Sequence, residues 1–138
     1  MTEKTRVLFV CVGNACRSQM AEGFARKYGP DVVSPASAGL APAVQVAPDT
    51  IRAMQEKNIS LRDHFPKSLK QLRHFQFDLL VNMSGIELVA PAGAAVRTWP
   101  VRDPVAENYD VHCQVRDEIE TLVMNLILEL RRDRKNQR

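Results

Sequence analysis

Eight consecutive residues carry the densest chemistry in the chain: Cys11-Val12-Gly13-Asn14-Ala15-Cys16-Arg17-Ser18. A cysteine thiolate is a strong nucleophile, and positive surroundings stabilise it well below its free pKa. Arg17 brings a planar fork of donors that can grip two oxygens of a tetrahedral oxyanion at once. Gly13 permits backbone geometry that other residues resist, and Asn14 tolerates the left-handed region better than most. Successive N–H groups along the loop can then turn inward as a nest for an anion. Ser18 can donate a hydrogen bond to the Cys11 sulfur. Together these parts make a nucleophile, an oxyanion clamp and a stabiliser for a leaving thiolate. A buried thiol in a tight turn is the plain alternative, and Cys-x5-Arg arises by chance. A nucleotide-binding glycine loop is disfavoured, because Gly13 has no second glycine near it and no Gly-Lys-Ser or Gly-Lys-Thr follows.

Such a loop needs a strand to end it on one side and a helix to begin it on the other. Arg6 to Val10 reads as a strand apolar on consecutive positions, as a strand covered on both faces would be. A helix should start near Ser18, with Met20, Phe24 and Tyr28 at four-residue spacing and Gly29-Pro30 to stop it. Its unpaired first amides and its dipole would add positive character to the loop. Further along, Asp31 to Ser34 begins a second strand interrupted by Pro35, and Ala38-Gly39 to Pro42 turns the chain away. Pro48 and Asp49 open a helix to about Lys57. Residues 67–75 suggest a short helix, Phe77 to Met83 a third strand and Ala95 to Trp99 a fourth.

The last helix has the clearest pattern. Val111, Val115, Ile119, Leu122, Val123, Leu126, Ile127 and Leu130 trace one stripe, which a chain of this size buries against its core. The basic residues 131–138 read as a solvated, fraying end. Four strands alternating with helices and joined by right-handed crossovers predict an α/β fold: a single-domain, doubly wound, four-stranded parallel sheet over residues 1–138, with helices on both faces. Ligands in such sheets bind beyond the carboxyl ends of the strands, where Cys11 to Ser18 would lie.

Composition narrows the function classes. With 138 residues and 45% hydrophobic content, the chain can build one core. A net charge of +3 suits an anionic substrate but is too mild for a nucleic-acid partner. The polar Met1 to Arg6 leads into a short apolar run followed by Cys and Gly, which is not a signal peptide, and no stretch has membrane-spanning length. A cytoplasmic location is the expectation. The cysteines (Cys11, Cys16, Cys113) and histidines (His64, His74, His112) show no zinc-ligand spacing, so no metal is expected.

The run Val10 to Glu22 resembles the active-site loop of low-molecular-weight protein tyrosine phosphatases and of the arsenate reductases built on that fold. The resemblance continues through Ser37-Ala38-Gly39, Ile59-Ser60-Leu61-Arg62-Asp63-His64 and Arg102-Asp103-Pro104, in order along nearly the whole chain. It implies that Cys11 attacks phosphorus in line to form a cysteinyl-phosphate, while Arg17 and the loop amides hold the equatorial oxygens. Asp103 would protonate the leaving oxygen and then activate water. Asn14, Ser18, Ser37 and His64 would support the loop, and Cys16 would be a reversible redox partner of Cys11. Without the resemblance, Asp103 is a turn aspartate before proline, His64 a surface histidine and Cys16 a packed loop residue.

Two departures from the family pattern bear on the reaction. Val105-Ala106 stands where tyrosine phosphatases of this family often carry two tyrosines, and Tyr109 comes later. The thioredoxin-coupled reductases resemble the chain at Ser18 to Gly23 and Val115 to Ile119. They carry two further cysteines after the third strand, whereas Met83 to Pro91 here contains none. Cys113 reads as a half-buried apolar residue. The ranking that follows places phosphomonoester hydrolysis first, on phosphotyrosine or an aryl phosphate. Arsenate reduction by Cys11 with an external thiol such as glutathione or mycothiol comes second, and a silent anion-binding regulatory module third. No resident cofactor is expected. The partners are a phosphorylated protein or a small phosphate or arsenate oxyanion, with neither nucleic acid nor membrane, acting as a monomer or weak homodimer.

Overall fold

The computed structural model describes residues 4–89 and 93–136. Strand β1 (Thr5–Cys11) leads to helix α1 (Arg17–Tyr28), then β2 (Val33–Gly39), α2 (Pro48–Gln55), a single 3-10 turn at Leu69–Leu72, β3 (Leu79–Asn82), β4 (Ala95–Thr98) and α3 (Tyr109–Asn136). All strand pairs are parallel and the spatial order is β2-β1-β3-β4. The order reverses between β1 and β3. The chain leaving β1 therefore opens into a crevice, the place where open α/β sheets bind ligands.

The two faces of the sheet are covered unequally. Val7, Phe9 and Val81 point into a large core with Met20 and Phe24 of α1, Met54 of α2, and Val115, Ile119, Val123 and Ile127 of α3. The other face buries only Leu8, Val10, Ala38 and Leu80, under Leu40, Leu69, Leu72, Phe77 and Leu88. Three α-helices thus share one face, and the 3-10 turn with its flanking loops covers the second. The helix expected across residues 67–75 is shortened to that turn, which Ser68 and Gln71 close with a reciprocal capping box.

Pro35 does not interrupt β2. The strand runs through it, opposite Val7, because β2 is an edge strand whose outer side is bridged only at its end, Gly39 to Ser68, among the described residues, so a missing N–H at Pro35 costs nothing. Helix geometry extends into the basic end as far as Asn136, with Arg131 donating to Asp31 and to the Tyr28 carbonyl and Arg134 donating to the Asp31 carbonyl. Residues 137–138 lie outside the described residues, as do residues 1–3 and 90–92. Of the apolar stripe of α3, Val115, Ile119, Val123, Leu126 and Ile127 are buried and Val111, Leu122 and Leu130 are half-buried at its margins, with His112 and Arg116 buried as well. Among the described residues no helix is long and apolar enough to cross a membrane.

Candidate active site

The loop between β1 and α1 closes over a cavity of about 150 Å³ lined by Cys11, Val12, Gly13, Ala15, Cys16 and Arg17, with Ala43, Asp103 and Val105 opposite. Cys11 is the last residue of β1 and Arg17 the first of α1, so both chemical groups sit on the ends of regular elements. That placement gives a site more precision than a free loop allows.

Ser18 is tied on two sides. Its hydroxyl accepts from Asn14 Nδ2 at 2.7 Å and lies 2.9 Å from Cys11 Sγ. With the oxygen already accepting, the hydroxyl hydrogen is free to point at the sulfur. Asn14 adopts a left-handed backbone with φ of 50°. Its side chain fixes that strained shape: Oδ1 accepts from Lys67 N at 2.9 Å and from Gln19 Nε2 at 3.2 Å. The left-handed position in the loop is therefore Asn14, and Gly13 is not among the described residues with positive φ.

Gln19 is the hub of the support, and sequence reasoning missed it. Its Nε2 also donates to the carbonyls of Asn14 at 3.1 Å and Phe65 at 3.2 Å, while Oε1 meets His64 Nδ1 at 2.8 Å. His64 therefore reaches the loop through Gln19. Ser37 donates to Glu22, whose other oxygen pairs with Arg26 at 2.9 Å. That places Ser37 under α1, one shell away from Asn14. Gly39 has a separate duty: a Cβ there would stand 2.8 Å from the Val12 carbonyl oxygen and 2.9 Å from Asn14 N. Only glycine lets the end of β2 approach the loop this closely. Position in the run Ser18 to Glu22 was the available signal for Gln19 and Glu22, and spacing alone gives neither a partner.

Arg17 is buried, with 5% of its side chain exposed, and joins three segments. It donates to the carbonyls of Met83 and, at 3.1 Å, Val101, and its Nη2 lies 3.3 Å from Asp103 Oδ2. Nε is buried without a hydrogen-bond partner among the described residues. An orphaned guanidinium N–H in a cradle of loop amides is what an oxyanion would satisfy. Asp103 itself is 40% exposed. Its Oδ1 accepts from Val105 N at 3.0 Å in a short turn before Ala106, which has φ of 61°. Asp103 lines the same cavity as Cys11 and Arg17.

Cys16 lines the same cavity, and burial pushes its thiol up to about 11, against a smaller lowering from a Thr50 hydrogen bond. Cys113 sits apart on α3, 3.7 Å from Glu56 Oε2, with its thiol likewise raised by burial. Ser84, buried in the turn after β3, donates to Asn82 and Ile86. Tyr109 does not line the cavity; its ring lies under Arg52, 3.8 Å from the guanidinium carbon. No cluster of metal-ligating side chains occurs among the described residues.

A thiol, a buried arginine and a carboxylate converge at the switch point of a parallel sheet, an arrangement chemically able to bind and attack a tetrahedral oxyanion. Residues 6–136 match the family described as low molecular weight phosphotyrosine protein phosphatase, and the chain belongs to it. A glutaredoxin arsenate reductase of Synechocystis is 30% identical, the alignment covering 91% of this chain and 98% of that one. An arsenate reductase 1 of Bacillus cereus is 34% identical, with 86% and 91% covered. Among solved structures, an arsenate reductase in the phosphate-binding state superposes with a TM-score of 0.82 at 29% identity, covering 91% and 98%. A YwlE mutant from Bacillus subtilis superposes at 0.78 with 26% identity, covering 93% and 99%.

Proposed function

We propose that the protein hydrolyses phosphomonoesters through a cysteinyl-phosphate on Cys11. The observation that carries this reading is the convergence of Cys11, Arg17 and Asp103 on one small cavity. In the proposed cycle the Cys11 thiolate, hydrogen-bonded by Ser18, attacks phosphorus. Arg17 and the loop amides hold the equatorial oxygens as charge redistributes among them. Asp103 gives its proton to the leaving oxygen, then takes one from the water that opens the thiophosphate bond.

The cavity walls speak about the substrate. Val12, Ala15, Ala43 and Val105 are small and aliphatic, and among the described residues no aromatic ring lines the cavity. That favours a small or aliphatic phosphate over a stacked phosphotyrosine ring, which narrows the expectation drawn from sequence. The same bare oxyanion pocket, and the names of the relatives, support a second reading in which Cys11 attacks arsenate and a thiol completes its reduction. Residues 83–91, which follow β3, contain no cysteine, so that thiol must come from elsewhere.

Running both substrates side by side separates the readings. Hydrolysis of p-nitrophenyl phosphate and of an alkyl phosphate, abolished by Cys11→Ser, is the expected result. Arsenate-dependent arsenite production with no phosphate release from either ester would replace the first reading by the second.

A further inference from the structure

Three buried polar groups form a line that starts in the oxyanion cavity and takes no part in hydrolysis. Cys16 lines the cavity beside Cys11. The Thr50 hydroxyl of α2 lies against the Cys16 thiol and is fully buried. Behind it, 3.2 Å from Thr50 Oγ1, is Nδ1 of His112 on α3, itself only 3% exposed. A histidine and a threonine sealed in a core usually satisfy one another and nothing more. Here the pair ends on a thiol that shares a cavity with the nucleophile, and an imidazole can accept a proton passed along a hydroxyl.

We propose that Thr50 and His112 form a proton relay that makes Cys16 the resolving thiol of the Cys11 site, so that arsenate is reduced within the loop itself. The inference rests on the second reading above, attack of Cys11 on arsenate, and names the thiol that reading lacks. In the first step Cys11 sulfur bonds to arsenic and water leaves, its proton supplied by Asp103. In the second, the Cys16 thiol passes its proton through Thr50 to His112 and its sulfur attacks Cys11 Sγ. The S–S bond forms, the S–As bond breaks, and the bonding pair stays with arsenic. Arsenic(V) becomes arsenic(III) and leaves as arsenite, while two thiols become one disulfide. An external dithiol then reduces that disulfide for the next turnover. Burial holds the Cys16 thiol up to about 11, and Cys11 and Asp103 push in the same direction while Thr50 and Arg17 oppose them. An unaided thiol in that setting is almost wholly protonated at neutral pH, so the reaction needs a built-in acceptor. Cys16 stays a silent thiol until an adduct forms next to it.

The test is a single turnover of the full chain with arsenate and no external thiol, reading arsenite, free thiols and the disulfide map. Wild type is expected to release arsenite, to join Cys11 to Cys16 and to leave Cys113 as the remaining free thiol of the three. Thr50→Val and His112→Asn are expected to slow closure by about 100-fold, the range of general-base catalysis, while p-nitrophenyl phosphate hydrolysis stays within about twofold. Thr50→Ser restores the wild-type closure rate. Closure at the wild-type rate in both variants overturns the relay. Arsenite formed only when dithiothreitol is added overturns the resolving role of Cys16 and leaves the arsenate reading standing. No arsenite with or without dithiothreitol overturns both.

Discussion

The loop from Cys11 to Ser18 and the turn from Arg102 to Glu107 contribute to one cavity but are built differently. The first is largely buried, and its polar side chains are tied: Ser18 to Cys11 and Asn14, Asn14 to Gln19 and Lys67, Gln19 to His64 and Phe65. The second is mostly exposed and is held by the Arg17–Asp103 pair, the Val105 N–H to Asp103, and an ion pair between Arg102 and Glu107. On the proposed reading, the anion cradle is therefore set before substrate arrives, while the proposed acid, Asp103, rests on a more exposed segment. Binding and proton transfer should respond to different mutations.

Arg17 is the bridge between the two regions, and removing it should do the most damage. Arg17→Lys is expected to lower kcat/KM for an aryl phosphate by about 10²–10³, because a point charge replaces the planar fork and Asp103 loses its partner. Steady-state kinetics with phosphate inhibition reads both effects, and a loss confined to kcat would show that Arg17 does not hold the ground-state anion. Asp103→Asn should cut kcat by about 10² for an alkyl leaving group and much less for p-nitrophenolate. Phosphate affinity should stay unchanged. Equal losses across leaving groups would mean that Asp103 shapes the cavity without donating a proton.

The support of the cradle is open to a stability test. Gln19→Leu strips donors from three acceptors and should cost about 1–3 kcal/mol in denaturant unfolding, with weaker phosphate binding. Gly39→Ala should cost a similar 1–3 kcal/mol through overpacking against Val12 and Asn14. Stability unchanged in both would show that the loop keeps its shape on its own.

The smallest effect is a pH dependence at His64. Burial is the main cause holding its imidazole below the ordinary 6.5, with Arg26 and Lys67 adding to the shift and Glu22 and Asp63 opposing it. As pH falls below about 6.5 the unfolded chain takes up this proton first, so the folded state loses stability until folded His64 protonates too. Above that pH the contribution is flat. His64→Gln keeps a partner for Gln19 and should show a shallower fall in melting temperature between about pH 6.5 and 5. Parallel curves would remove His64 from the support.

The sequence made the strands, the two long helices and the active loop legible because each has a local signature: apolar runs, a four-residue stripe, a nucleophile spaced to an arginine. Pro35 misled because a proline's cost depends on whether its strand lies at an edge, which pairing alone decides. Gly13 drew attention as the only glycine in the loop, yet the tight backbone approach belongs to Gly39, twenty-six positions away along the chain. Gln19 stayed hidden for the same reason, since its partners at Phe65 and His64 come from a distant segment. Tertiary contacts of this kind leave no periodicity to read.

The central claim is that Cys11 carries the transferred group. Rapid acid quench of wild-type enzyme during turnover of p-nitrophenyl phosphate, followed by mass spectrometry, tests it most directly. A phosphoryl group on the Cys11 peptide, longer-lived in Asp103→Asn and absent in Cys11→Ser, is the predicted result. Turnover that continues in Cys11→Ser, or phosphate found on any other residue, would contradict it.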